Sequence, residues 1–127
     1  MVENDKKVML LIDDEVTIGI IIKIQFDKDY NITIINNGLD AIKWLREGNL
    51  PDLIILDLNM PQMNGLEFLK EVRKYSFFKK TPITVLSSED SSNKRIEAFK
   101  SGANDYLTKP FNPIELRIRM ERFFVDN

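Results

Sequence analysis

Apolar residues in this chain fall into short unbroken runs, separated by longer stretches in which they recur every three to four positions. "KVMLLID" (7–13) is a continuous apolar run closed by acids, as expected of a strand buried on both faces. "NITII" (31–35), "DLIILDL" (52–58) and "PITVLSS" (82–88) repeat that signal, and "DYLTK" (105–109) is a weaker fifth. The stretches between them read as helices. "GLDAIKWLREG" (38–48) sets Leu39, Ile42, Trp44 and Leu45 near one face and stops at a glycine. "GLEFLKEVRKY" (65–75) does the same with Leu66, Leu69 and Val72. "SSNKRIEAFKSG" (91–102) opens on capping serines and ends at Gly102. "NPIELRIRMERFF" (112–124) has Asn112 as its cap and Pro113 at the first helical position.

The segment "EVTIGIIIKIQF" (15–26) is balanced between strand and helix by composition, because Gly19 and a β-branched run lower helix propensity. Its position favours a helix. Two parallel strands need a crossover of about a dozen residues, usually helical. The chain then alternates as five βα units, which predicts an α/β fold with a doubly wound parallel sheet and helices on both faces. Its 127 residues suit one domain, 1–127, with a real core and no internal linker or repeat.

Composition then narrows the chemistry. There is no cysteine and no histidine. Disulfides, thiolate zinc sites, cysteine nucleophiles, a Ser-His-Asp triad and imidazole metal sites are all excluded. A metal would have to be held by oxygen, which favours Mg²⁺, Ca²⁺ or Mn²⁺. The formal net charge of -2 gives no electrostatic case for direct nucleic-acid binding or an anionic membrane. The N-terminus carries charges but no apolar segment of signal-peptide length, and no run approaches the ~18 apolar residues of a membrane span. A cytoplasmic protein is the expectation.

The informative residues sit at strand ends. In a doubly wound sheet, ligands bind outside the carboxyl ends of the strands. The first strand ends at Asp13-Asp14, the third at Asp57, the fourth at Ser87-Ser88 and the fifth at Lys109. Each alone is more often a helix cap, a turn residue or a solvated charge. Together they bring three acids, a hydroxyl and an amine to one edge. Clustered carboxylates repel one another, and a divalent cation relieves the repulsion. Asp57 stands in an apolar run, "IILDLNMP", where a carboxylate is expensive unless paired or coordinated. A carboxylate can attack phosphorus to form an acyl phosphate, given countercharge and a hydroxyl donor for the phosphoryl oxygens. Lacking histidine, the chain can receive such a group but cannot be a phosphohistidine donor.

The stretches "LLIDDE", "DLIILDLNMPQMNGLEFLKEVR", "PITVLSS", "GANDYLTKPF" and "NPIEL" resemble the receiver domains of two-component response regulators, both the chemotaxis type and the receivers of winged-helix transcription factors. The resemblance spans nearly the whole chain. It implies a flavodoxin-like sheet of five parallel strands in the order 2-1-3-4-5 with five helices on its two faces. It implies Asp57 as phosphoacceptor. Asp14 and Asp57 would bind Mg²⁺ (or Mn²⁺) directly, Asp13 largely through water, and the backbone carbonyl of Asn59 would complete the protein ligands. Lys109 would contact the phosphoryl group. Ser87 takes the place of the switch hydroxyl, and Tyr106 that of an aromatic whose ring turns inward when Ser87 is drawn to the phosphoryl group. Lys109-Pro110 matches a bond usually cis in the family.

The implied function is phosphorelay signalling: a Mg²⁺-dependent acceptor that takes its phosphoryl group from a sensor histidine kinase or a histidine phosphotransfer protein. It would be no enzyme towards other substrates, catalysing only its own phosphotransfer and dephosphorylation. Two alternatives stand beside this. A phosphatase of haloacid dehalogenase type would need a second acid where Asn59 lies, and spare length for a cap. A degenerate receiver acting only as a binding module is opposed by the intact Asp13, Asp14, Asp57, Ser87 and Lys109. Two departures from the family pattern, Ser88 and Glu89, leave the lifetime of the modified state open.

Two surfaces follow from the same resemblance. Val16, Ile20 and Ile24 form an apolar stripe on the first helix that is an oily surface, part of a fully covered helix, or a kinase-docking face, with Ile18, Ile21 and Ile22 as the sheet-facing set. Arg95, Asp105, Glu115 and Arg119 are either a solvated face or the ion pairs of a homodimer formed on phosphorylation. In the dimer Arg95 would meet Glu115, and Asp105 would meet Arg119, across a two-fold axis. Gly65, after Met60-Pro61 and Asn64, is expected to supply a positive φ to the turn. Whether the chain stands alone or belongs to a larger regulator is not legible.

Overall fold

The computed structural model describes residues 6–125, so the two ends of the expected 1–127 domain, and half of the charged N-terminal stretch, lie outside the described residues. Five strands and five helices alternate: β1 (Lys7–Ile12), α1 (Val16–Phe26), β2 (Tyr30–Ile35), α2 (Gly38–Arg46), β3 (Leu53–Asp57), α3 (Gly65–Val72), β4 (Ile83–Ser87), α4 (Ser92–Ser101), β5 (Asp105–Thr108) and α5 (Pro113–Glu121). Short 3-10 turns at Ser76–Phe78 and Arg122–Phe124 complete the chain. All strand pairs are parallel, in the order β2-β1-β3-β4-β5. Among the described residues, no helix is long and apolar enough to cross a membrane.

Alternation along the strands divides the interior in two. Leu10, Ile12, Ile54, Leu56 and Val85 face α2, α3 and α4, meeting Ile42, Leu45, Phe68, Leu69 and Ala98. Met9, Leu11, Ile55 and Leu86 face α1 and α5, meeting Ile18, Ile22, Phe26, Leu116 and Met120. The three central strands are apolar on both faces for this reason. Thr84, fully buried on β4, has the one buried side-chain polar atom without a hydrogen-bond partner among the described residues. Such an orphan costs on the order of 1–3 kcal/mol. α4 is the least embedded helix, with Ala98 its one buried residue, and with Ile96 and Phe99 exposed.

The helix expected over 15–26 is present, and three other expectations, on Ile21, Leu39 and Gly65, need correction. Residues 15–26 are helical from Val16 onwards, and Gly19 is accommodated because it lies buried against β2: a Cβ there would stand 3.2 Å from Ile34 Cδ1. Ile21 points outward, and Gly19 and Phe26 join Ile18 and Ile22 on the buried side. Leu39 is exposed on α2, where Ala41 packs inward with Ile42 and Leu45. Gly65 has no positive φ; Gln62 (φ 50) and Met63 (φ 71) bear that conformation in the turn. Gly65 is needed for closeness instead, since a Cβ would meet the carbonyl oxygen of Asp57 at 2.4 Å and Leu58 Cα at 2.5 Å. Asn64 closes the start of α3 with a reciprocal capping box to Glu67.

Candidate functional site

The carboxyl ends of β1, β3 and β5 place their charged residues in one cleft. Asp13 follows β1, held by its own N–H donating to Ile35 O (3.1 Å) and by its carboxylate accepting from Glu15 N (2.8 Å). Asp57 ends β3, only 4% exposed, with Oδ1 accepting a long bond from Asn59 N at 3.3 Å. Asp14 is exposed, yet one carboxylate oxygen each from Asp13, Asp14 and Asp57 lie within 4.8 Å of one another. Lys109 follows β5, and its backbone N–H donates to Ser87 O at 2.8 Å, which ties it to the end of β4. Its Nζ lies 3.1 Å from Asp13 Oδ2, 2.5 Å from Glu15 Oε1 and 3.6 Å from Asp57 Oδ1. The Lys109-Pro110 bond is cis.

The electrostatics follow from burial and crowding. Burial, then the charge of Asp13, pushes the Asp57 carboxyl from 3.8 up to about 6, against the pull of Lys109. Burial raises Asp13 as well. Burial works against the Lys109 ammonium, but hydrogen bonds to Glu15 and Asp13 outweigh it and hold that group above its ordinary value. Three carboxylates share one partly buried ammonium, so the cleft carries a surplus of negative charge directed at a small space.

Ser87 is fully buried at the end of β4, one residue beyond the position paired with Asp57, and its Oγ accepts from Glu89 N at 3.1 Å. Tyr106 is turned inward, 5% exposed, with its hydroxyl donating to Glu89 O at 2.9 Å and Arg95 lying over its ring at 5.6 Å. Both expected switch residues therefore converge on the backbone of Glu89. The surface charges pair inside the chain: Arg119 with Asp105 (2.9 Å) and Glu115 (3.0 Å), and Arg95 with Asp90 (3.0 Å). On α1, Val16 (78% exposed), Ile20 and Ile24 (75%) form an outward stripe beside an open groove of about 780 Å³ leading from Asp13, Asp14 and Glu15 towards Trp44. Glu15 is the site residue that the pattern did not single out. The signal was its place, one residue past Asp14 on the same edge.

A doubly wound sheet whose switch-point edge holds three acids and a lysine belongs to the class of sites that can bind a cation and an anionic group side by side. The chain belongs to the response regulator receiver domain family, whose model matches residues 9–121. It is 34% identical over 114 residues to the transcriptional regulatory protein SrrA of Staphylococcus aureus, covering 89% of this chain and 46% of SrrA. The solved chemotaxis response regulator CheY4 of Vibrio cholerae is 35% identical, with a TM-score of 0.85 over 93% of this chain and 98% of that one. The receiver domain of the sensor histidine kinase PA1611 from Pseudomonas aeruginosa, solved with a magnesium ion in its active-site cleft, is 26% identical, with a TM-score of 0.84 over 93% and 97% of the two chains. The chain spans 46% of the length of SrrA and 9% of that of a histidine kinase of Formosa agariphila that it also matches. It is a receiver of phosphorelay signalling in two-component systems.

Proposed function

We propose that Asp57 is the residue phosphorylated, with Asp13 and Asp14 as acid partners and Lys109 and Ser87 as the groups that contact the incoming phosphoryl oxygens. The observation that supports this is the cleft itself: Asp57 Oδ1 stands 3.6 Å from Lys109 Nζ and beside the Asp13 and Asp14 carboxylates. The donor set fits a hard divalent cation, because all its charged ligands are oxygen and burial, then the neighbouring Asp13 charge, holds the Asp57 carboxyl above its ordinary value. Asp13, Asp14, Asp57 and the Asn59 carbonyl would hold Mg²⁺ or Mn²⁺, which supplies charge neutralisation for an anion approaching an anion. The residues do the rest. The Asp57 carboxylate oxygen forms a bond to phosphorus as the donor's bond to phosphorus breaks. Lys109 balances negative charge on the transferred group. Ser87 donates its hydroxyl and, with Tyr106, relays the change to α4, β5 and α5. The chain supplies one receiver domain, which catalyses only its own phosphotransfer and dephosphorylation, in the cytoplasm. Incubation with acetyl phosphate and Mg²⁺ adds the mass of one phosphoryl group; an unchanged intact mass would sink the reading.

The donor in the cell is a histidine kinase or histidine phosphotransfer protein, and the α1 stripe is its docking face. Ile24→Lys then slows transfer from the kinase by roughly tenfold or more, since an apolar contact is replaced by a charge. It leaves reaction with acetyl phosphate unchanged; equal loss with both donors overturns the docking role. On phosphorylation two copies pair through α4, β5 and α5. Exchange of the Asp105–Arg119 pair between copies changes little electrostatic energy, so exposed Ile96, Phe99 and Ile118 supply the affinity. Sedimentation moves to a dimer with beryllofluoride, a phosphoryl mimic, and a monomer at every concentration excludes it.

A further inference from the structure

We propose that Glu15 is a latch on Lys109, a positioning residue that holds the ammonium away from Asp57 until a phosphoryl group arrives. The inference rests on the assignment of Asp57 as acceptor. Glu15 occupies the N-cap position of α1 but makes no side-chain cap hydrogen bond. Glutamate is a poor cap in any case, and the open N–H groups of the first turn gain nothing from its carboxylate. That carboxylate instead accepts from Lys109 Nζ at 2.5 Å, the shortest of the three contacts the ammonium makes. Asp13 takes a second hydrogen bond at 3.1 Å. Asp57, at 3.6 Å, receives charge but no hydrogen bond.

An ammonium has three hydrogens, and two are already directed at Glu15 and Asp13. The third is unassigned, but Nζ stands outside hydrogen-bond distance of Asp57, so closing on a phosphoryl oxygen there draws the ammonium away from one of the two groups it now contacts. Asp13 is buried and fixed by its own bond from Glu15 N, whereas the Glu15 side chain is half exposed and free to swing into water. Glu15 is therefore the contact that yields. The latch sets how often Lys109 is available, and through that the rate of phosphorylation and the affinity for phosphoryl mimics.

Two variants separate the latch from the mere charge of Glu15. Glu15→Gln removes the charge. Glu15→Asp keeps the charge but shortens the side chain by one methylene and favours the cap position, turning the carboxylate from Lys109 to the helix start. At saturating Mg²⁺, both variants accept phosphate from phosphoramidate about two- to fivefold faster than the parent chain, and both bind beryllofluoride more tightly by a similar factor in calorimetry. The calorimetric reading involves no turnover. A gain in Glu15→Gln alone would mean a field effect of charge, and this or no gain in either variant overturns the latch. A parent chain that takes no phosphate at all would instead overturn the assignment of Asp57.

Discussion

Asp57→Asn abolishes the mass gain on incubation with acetyl phosphate, and it makes the metal-free protein more stable near neutral pH. The first effect follows from removing the nucleophilic oxygen. The second follows from the burial of the Asp57 carboxyl and, after that, from the neighbouring acids. In the fold the Asp57 carboxyl is pushed up to about 6, from a reference of 3.8. A raised carboxyl binds its proton more tightly folded than unfolded, so between those values the folded state holds more protons. The contribution of this group is fully favourable below about pH 4 and is lost as pH rises through about 6. That rise corresponds to a penalty on the order of 2–3 kcal/mol above pH 7. Asparagine keeps the shape and removes the charge, while Lys109 retains Asp13 and Glu15. A gain of about 1–2 kcal/mol in chemical denaturation is expected at pH 8 and little at pH 4. Persistent labelling in the variant would show that another residue is the acceptor. A stability loss at pH 8 would show that Asp57 is relieved by its surroundings without a metal.

Mg²⁺ raises the melting temperature at pH 8, and chelation reverses the rise. Ligand at a hundred times its dissociation constant contributes about 2.7 kcal/mol when it binds only the folded state. The unfolded chain has no convergent acids, so that condition is met. The effect is pH-dependent with a definite sign. The cation competes with the proton on Asp57, so affinity falls as pH drops through about 6. Asp14→Asn, at the exposed member of the trio, weakens the metal effect without the stability gain expected of Asp57→Asn. Identical melting with and without millimolar Mg²⁺ at pH 8 contradicts the fit of the acid trio to the cation.

Much of this is legible in the order of residues along the chain. Strand ends are marked by the change from apolar runs to acids and hydroxyls, and the switch-point rule gathers them at one edge. Asp13, Asp14, Asp57 and Lys109 meet there. Composition left α1 undecided, because Gly19 and five isoleucines read equally as strand. Only the need for a crossover resolved it, and the reason for Gly19, its closeness to Ile34, belongs to packing that no local pattern encodes. Gly65 misled for a related cause. A glycine in a turn suggests positive φ, but here Gln62 and Met63 take that role and Gly65 is pressed against the Asp57 carbonyl. Rotamer-level choices were also hidden. Glu15 turning to Lys109, and Arg119 satisfying two acids of its own chain, depend on side-chain reach in three dimensions.

The shallow seating of α4 has a thermodynamic corollary. With Ala98 alone fully enclosed among its ten residues, this helix draws little from the interior. Displacing it exposes little apolar area, so its local unfolding sits at the low end of the molecule's free-energy scale, beneath β1 and β3. A perturbation of one or two kcal/mol at the end of β4 is enough to redistribute its conformations while the sheet stays intact. The segment is, in energetic terms, a loosely sprung part mounted on a stiff frame.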